Sequence, residues 1–251
     1  KIDKSMKKIN ITLLVALTAV ILGVFSSCSD NEVDRDKSIF VDPDPSTYTK
    51  FDKWLNLNYR DNYNIEFKYK MEHLESDLDY QLVPTSIENA SIFAQILKYL
   101  WMEVYTEVVD LEFTRTYIPR IVHLIGSGAY NTNNTVLLGT ADGGLKVTLY
   151  RINSLPSTIT GAYLNTNYMK TVHHEFMHIL HQTKNFSDDF QHISGTDYIG
   201  SEWSSNSNTE ANALKLGFIS RYSRMNYHED FVEIIAYFIT NSEAWWTSRL
   251  A

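Results

Sequence analysis

Residues 173–182 read His-His-Glu-Phe-Met-His-Ile-Leu-His-Gln, and within them His174-Glu175-x-x-His178 is the pattern that most constrains the fold. Positions i and i+4 of an α-helix lie one turn apart on the same face. Two imidazoles at that spacing can reach one metal ion, provided the segment is helical. The glutamate beside the first histidine then leans toward a water on the same ion and can accept its proton. Val172, Phe176, Ile179 and Leu180 supply apolar faces that would hold such a helix in a core. The 251-residue chain is 44% hydrophobic, which is ample for one large domain. With 22 Lys and Arg against 30 Asp and Glu, and no long basic run, it lacks the clustered cations that phosphate binding needs. Nucleic acid is therefore excluded as a partner. The single cysteine, Cys28, excludes a disulfide framework and a thiolate zinc cluster.

Catalytic zinc usually takes three protein ligands and leaves one position for water. A third histidine in the spacing HExxHxxGxxH is missing, because His181 stands at the glycine position and Lys184 at the histidine. A later glutamate is the alternative. The segment His228-Glu229-Asp230-Phe231-Val232-Glu233 opens an almost wholly apolar helix, with Glu229 and Glu233 one turn apart on one face. Like charges at that spacing repel, and a buried carboxylate is costly unless it is paired or bound to metal. A zinc ion and a zinc-bound imidazole remove both costs if Glu229 is the ligand and Glu233 orients a histidine. Against this, Glu229 also suits a helix start on dipole grounds alone. Glu202 and Glu210 are competing ligands, although Glu210 in a first helical turn has a structural reason to be there. His173 and His181 flank the metal face and read as supporting residues. Trp203, Trp245 and Trp246 read as core or pocket walls.

The chain begins with a segment that reads as an address. Met6-Lys7-Lys8 is basic, and Lys1–Ser5 precede this expected start. Ile11–Phe25 is apolar and shorter than the ~20 residues that span a bilayer as a helix. Ser26-Ser27 then lead to Cys28. This is the layout of a secretory signal, and Ser26-Ser27-Cys28 resembles the lipobox of bacterial lipoproteins, which implies that residues 1–28 are a signal peptide with a lipobox cysteine. Residues 29–47 are acidic and poor in core-type residues, and read as a tether. From residue 48 the pattern is globular. Short helix Phe51–Leu57, strand Tyr63–Tyr69, one long helix Ser86–Val109, strand Arg120–Ile125, turn Asn131–Asn134, strands Thr135–Leu138 and Leu145–Ile152, and helix Tyr163–Gln182 follow from apolar spacing. A polar stretch, residues 185–208, precedes helices Thr209–Leu216 and Glu229–Thr240. The sum is an α+β fold. Leu145–Tyr150 is either an edge strand available to an extended substrate or an ordinary inner strand.

HExxH on one helix and ExxxE on a later one resemble the gluzincin metallopeptidases. Tyr222, seven residues before Glu229, is similar in placement to the tyrosine of anthrax lethal factor. That resemblance implies that Tyr222 assists catalysis, that Glu229 is the ligand and that Glu233 is its support. Asn64-Ile65, Leu138–Tyr150, HHEFMHILHQ, Gly217-Phe218-Ile219-Ser220 and Glu229–Glu233 also resemble the zinc metallohydrolase lipoproteins associated with TonB-dependent nutrient import. The resemblance implies a zincin-like domain over 48–251, with a small mixed sheet, an active-site helix and C-terminal helices, and a further helical segment beyond Ala251. It implies a Zn2+ cofactor, a peptide or protein substrate, an outer-membrane lipoprotein anchored through lipid on Cys28, and an import complex as partner. Two rivals share the zinc centre: a zinc-stiffened binding module with little turnover, and a hydrolase of a non-peptide amide or ester. An intact Glu175 argues against the first, since structural zinc needs no base.

Overall fold

Thr49 and Asp52 satisfy each other's backbone amides in a capping box, and this starts helix α1 (Lys50–Leu55). The computed structural model describes residues 45–71, 77–132 and 135–250. The chain divides into units at residues 1–47 and Tyr48–Ala251. Of the first, only the 3-10 turn Pro45–Thr47 is described, so the leader, Cys28 and most of the tether lie outside the described residues. No described helix is long and apolar enough to cross a membrane.

The main sheet has four strands: β1 (Glu66–Lys68), β2 (Ile121–Leu124), β5 (Gly139–Asp142) and β6 (Lys146–Leu149), in the order β1-β2-β6-β5. β1, β2 and β6 are mutually parallel, while β5 runs antiparallel to β6 at the edge. Parallel neighbours require long crossovers. Between β1 and β2 the crossover contains α2 (Ile87–Leu97), α3 (Glu103–Val108) and α4 (Leu111–Tyr117). The hairpin from β5 to β6 turns through Gly143, Gly144 and Leu145; both glycines have positive φ (57° and 71°), and the Leu145 amide donates to the Asp142 carbonyl at 3.1 Å. β3 (Ala129–Tyr130) and β4 (Val136–Leu137) form a separate small ribbon.

Most expected elements are present, with changed ends. The expected strand Tyr63–Tyr69 is shortened because Tyr63 still belongs to a helical turn, which Asn64 ends at φ 58°. The expected helix 86–109 carries a π turn at Lys98–Met102 between α2 and α3. β5 and α4 have no counterpart in the sequence reading. Leu145–Tyr150 is not an edge strand: β6 lies between β2 and β5, and Val147, Thr148 and Leu149 are buried. The edges of this sheet are β1 and β5, and the one beyond β6 is β5.

The active-site segment runs through α5 (Gly161–Leu164), a π turn at Asn165–Met169 and α6 (Lys170–His181). α6 buries Val172, Phe176 and Ile179 in the core, where Phe176 meets Trp101 edge-on at 5.8 Å. The C-terminal part holds α7 (Glu210–Lys215), α8 (Tyr227–Thr240) and α9 (Glu243–Leu250), with Asn226 capping α8 through two backbone amides.

β5 passes so close to α6 that only glycine fits at its start. A Cβ on Gly139 would stand 2.7 Å from Thr171 Cγ2 and 3.1 Å from Glu175 Cγ. Gly139→Ala is expected to destabilise the protein by about 1–3 kcal/mol, the usual cost of overpacking. Adding Thr171→Ser, which deletes the nearer methyl, should recover much of that loss. Urea unfolding of the single and double variants checks this, and two equal midpoints would contradict it.

Candidate metal centre

Two helices meet at the site, and their side chains interlock in order. On α6, Lys170, His174 and His178 are spaced one turn apart; on α8, Glu229 and Glu233 are one turn apart. Lys170 Nζ donates to Glu233 Oε1 at 2.8 Å, and His174 Nδ1 donates to the same oxygen at 2.9 Å. His174 Nε2 lies 3.1 Å from Glu229 Oε2, and His178 Nε2 lies 3.3 Å from it. The two Nε2 atoms are 3.1 Å apart. Ser220 Oγ donates to the other oxygen of Glu233 at 2.7 Å. Glu233 is 1% exposed, and its carboxylate is met on both oxygens.

These three ligand atoms satisfy a geometric test for zinc. Tetrahedral ligands at ~2.0–2.1 Å from zinc stand about 3.3 Å from each other, close to the 3.1–3.3 Å triangle seen here. The chemistry agrees. With Nδ1–H committed to Glu233, a neutral His174 presents a bare lone pair at Nε2. Glu229 Oε2 is buried and has no hydrogen-bond donor. Acceptors turned toward one another need a cation between them. Among the described residues, His174, His178 and Glu229 form the cluster able to hold a metal ion.

The local electrostatics have the same origin. Burial disfavours an ionised Glu233, but the hydrogen bond from His174 and the charge of Lys170 outweigh it and hold the carboxyl at about 2. Burial likewise resists ionisation of Glu229, and the facing His174 and His178 imidazoles, when protonated, bring it well below the ordinary range. Burial disfavours a charged His174, yet Glu229 and Glu233 raise it to about 9, so a proton competes for the place a metal takes. Glu175 is 9% exposed, and burial raises its carboxyl against the pull of His174 and His178. Tyr222 keeps its proton, through burial first and then the negative charges of Glu229 and Glu175.

His174, Glu175, His178, Tyr222 and Glu229 line one cleft of about 700 Å³. Its opposite wall is β5, with Gly139, Thr140, Ala141 and Asp142. The Tyr222 ring is 5.9 Å from that of His174 and packs edge-on against Trp203 at 4.6 Å. Trp203 thus supports Tyr222, while Trp245 stacks on Tyr237 at 5.4 Å and Trp246 packs on Phe238, away from the cleft. His173 points into the core, where its Nδ1 meets the Tyr105 hydroxyl at 3.1 Å. Burial lowers it to about 4, so it stays neutral. Glu202 is exposed in the 3-10 turn Gly200–Ser204 and is outside the cluster. Glu210 accepts from the Arg221 amide and from Arg249, also outside it. Lys170 and Ser220 were missed by sequence reasoning. Lys170, one turn before His174, was visible on the same stripe; Ser220 carried no local signal.

Residues 44–251 match the model of a family described as "Putative zinc-binding metallo-peptidase". The chain belongs to that family. Among solved structures it is similar to a putative zinc-binding metallo-peptidase from Bacteroides caccae, at 43% identity and a TM-score of 0.67, over 85% of this chain and 80% of that one. No curated protein matches it. Family membership and the His/His/Glu cluster together point to zinc, with hydrolysis as the coarse activity.

Loss of a ligand and loss of its hydrogen-bond partner should differ. Glu229→Ala is expected to be nearly metal-free at micromolar protein. Glu233→Ala should still bind zinc, about 10–100-fold more weakly. Zinc titration of metal-stripped protein reads both, and weaker binding in Glu233→Ala than in Glu229→Ala would exchange the two roles.

Proposed function

We propose that this protein is a gluzincin-type zinc metallopeptidase with a zincin-like domain. The observation that carries the reading is a buried carboxylate, Glu175, facing the same open cleft as the His174–His178–Glu229 cluster. A zinc ion held by those three residues would supply a Lewis acid that acidifies water and polarises a carbonyl. Glu175 is the general base: it takes the proton of the attacking water and returns it to the leaving amine. Its raised pKa suits both halves of that task. Tyr222, protonated at neutral pH, donates a hydrogen bond to the oxygen on which charge develops. Glu233 and Lys170 keep the His174 ring oriented.

The substrate is an extended peptide or protein segment. β5 is a sheet edge and also a wall of the cleft, so a peptide laid along it can pair through its backbone while its scissile bond faces Glu175. The leader residues support a surface lipoprotein of the outer membrane, tethered through lipid on Cys28. Its work beside a TonB-dependent importer would be to trim peptides or proteins for uptake.

Glu175→Gln should retain about one zinc per chain and lose nearly all peptide cleavage, read by mass spectrometry of a proteome-derived peptide library. Tyr222→Phe should keep zinc and lower turnover by about 10²-fold or more, as for a lost oxyanion donor. A cleaved-peptide profile for Glu175→Gln identical to wild type would remove the hydrolytic reading. For the anchor, Cys28→Ala should move the protein from the membrane pellet to the soluble fraction, and an unchanged pellet fraction would refute lipidation.

A further inference from the structure

Two further histidines face the same cleft, and neither belongs to the three-residue cluster. His181 is the last residue of α6 and His228 the second of α8. Their nitrogens Nε2 and Nδ1 lie 3.0 Å apart. The rings are held in place by packing. Phe186 stacks on His181 at 4.3 Å and on Phe231 at 4.2 Å, and Tyr227 packs against His228 at 4.1 Å. The contact uses Nε2 of His181 and Nδ1 of His228, and Nδ1 of His181 takes no part in it.

We propose that His181 and His228 form a second transition-metal site at the mouth of the cleft, separate from the His174–His178–Glu229 cluster and weaker than it. The separation fits a two-imidazole bite. Nitrogens at ~2.0–2.1 Å from a metal lie about 2.9 Å apart at a right angle and about 3.3 Å apart in a tetrahedron. The 3.0 Å seen here falls between these, close to the 3.1 Å between the Nε2 atoms of His174 and His178. Imidazole pairs take borderline divalent ions such as Zn(II), Ni(II) and Cu(II) rather than Mg(II) or Ca(II). Rings already locked by stacking lose little freedom on binding, which compensates in part for a two-ligand site. Water would fill the other coordination positions. An ion so placed shares the cleft with Glu175, so metal in excess would obstruct it. The assignment does not depend on what the cleft hydrolyses.

Zinc titration of untagged, metal-stripped full-length protein by equilibrium dialysis tests this. Wild type should bind a first equivalent tightly and a second more weakly. His181→Gln and His228→Gln should each lower the affinity for the second equivalent by more than about tenfold, a loss that even an outer-shell partner can cause, and leave the first unchanged. His178→Ala should do the reverse, so failure of the main cluster is read separately. His228 is exposed, and its variant keeps the test open if the His181 variant fails to fold. A single equivalent in wild type up to millimolar zinc, or a second equivalent that survives in both variants, overturns the proposal.

Discussion

One imidazole bridging two carboxylates holds the site together. Glu229 and Glu233 stand one turn apart on α8, and His174 spans that turn with Nδ1 on Glu233 and Nε2 facing Glu229. The pairings on either side follow from this. Lys170, a turn earlier on α6, reaches Glu233; His178, a turn later, reaches Glu229. Rising numbers on α6 meet falling numbers on α8, so the helices run antiparallel and their register is fixed by polar contacts. A slip of one residue on either helix would rotate its polar row by about 100° and bury uncompensated charge. The same carboxylate anchors the turn that carries Tyr222: Ser220 donates to Glu233, and the Ser223 amide donates to Ser220. Ligand orientation and tyrosine placement therefore share one buried anchor.

The parts of this site legible in sequence were those set by helical periodicity. HExxH and ExxxE each occupy one turn, and that spacing places each pair on one face before any tertiary contact is known. That Glu229, rather than Glu202 or Glu210, completes the triangle rested on the cost of two like charges on an apolar helix, and the geometry brings that residue to the two histidines. Lys170 escaped notice because a lysine on an amphipathic helix ordinarily reads as surface. Ser220 and the His181–His228 contact join residues brought together only by packing.

The fold was readable in the same uneven way. Long helices announce themselves by apolar spacing, and the π turns inside two of them leave that spacing nearly intact. β5 escaped because Gly139-Thr140-Ala141-Asp142 lacks alternating apolar residues, and the reason is its position. An edge strand facing a polar cleft has little apolar surface to bury, and its glycine is required by the approach to Thr171 and Glu175. The residues Asp142-Gly143-Gly144 did carry a turn signal, and β5 ahead of them makes Leu145–Tyr150 an inner strand, one of the two readings its sequence allowed.

The buried charges of the site explain why a divalent ion suits it. Glu175, Glu229 and Glu233 converge on the His174 network, and among the described residues Lys170 is the one ammonium bonded into it. Three carboxylates against one ammonium leave two negative charges uncompensated in a place of low dielectric, where each is costly. Protonating His174 offsets only one of them, which is why its pKa rises to about 9. A divalent cation offsets both, and it leaves His174 neutral with Nδ1–H still donated to Glu233. A monovalent ion would leave a deficit and a trivalent ion an excess. The combination of Lys170 with three glutamates thus selects charge, as the two imidazoles select for zinc over calcium or magnesium.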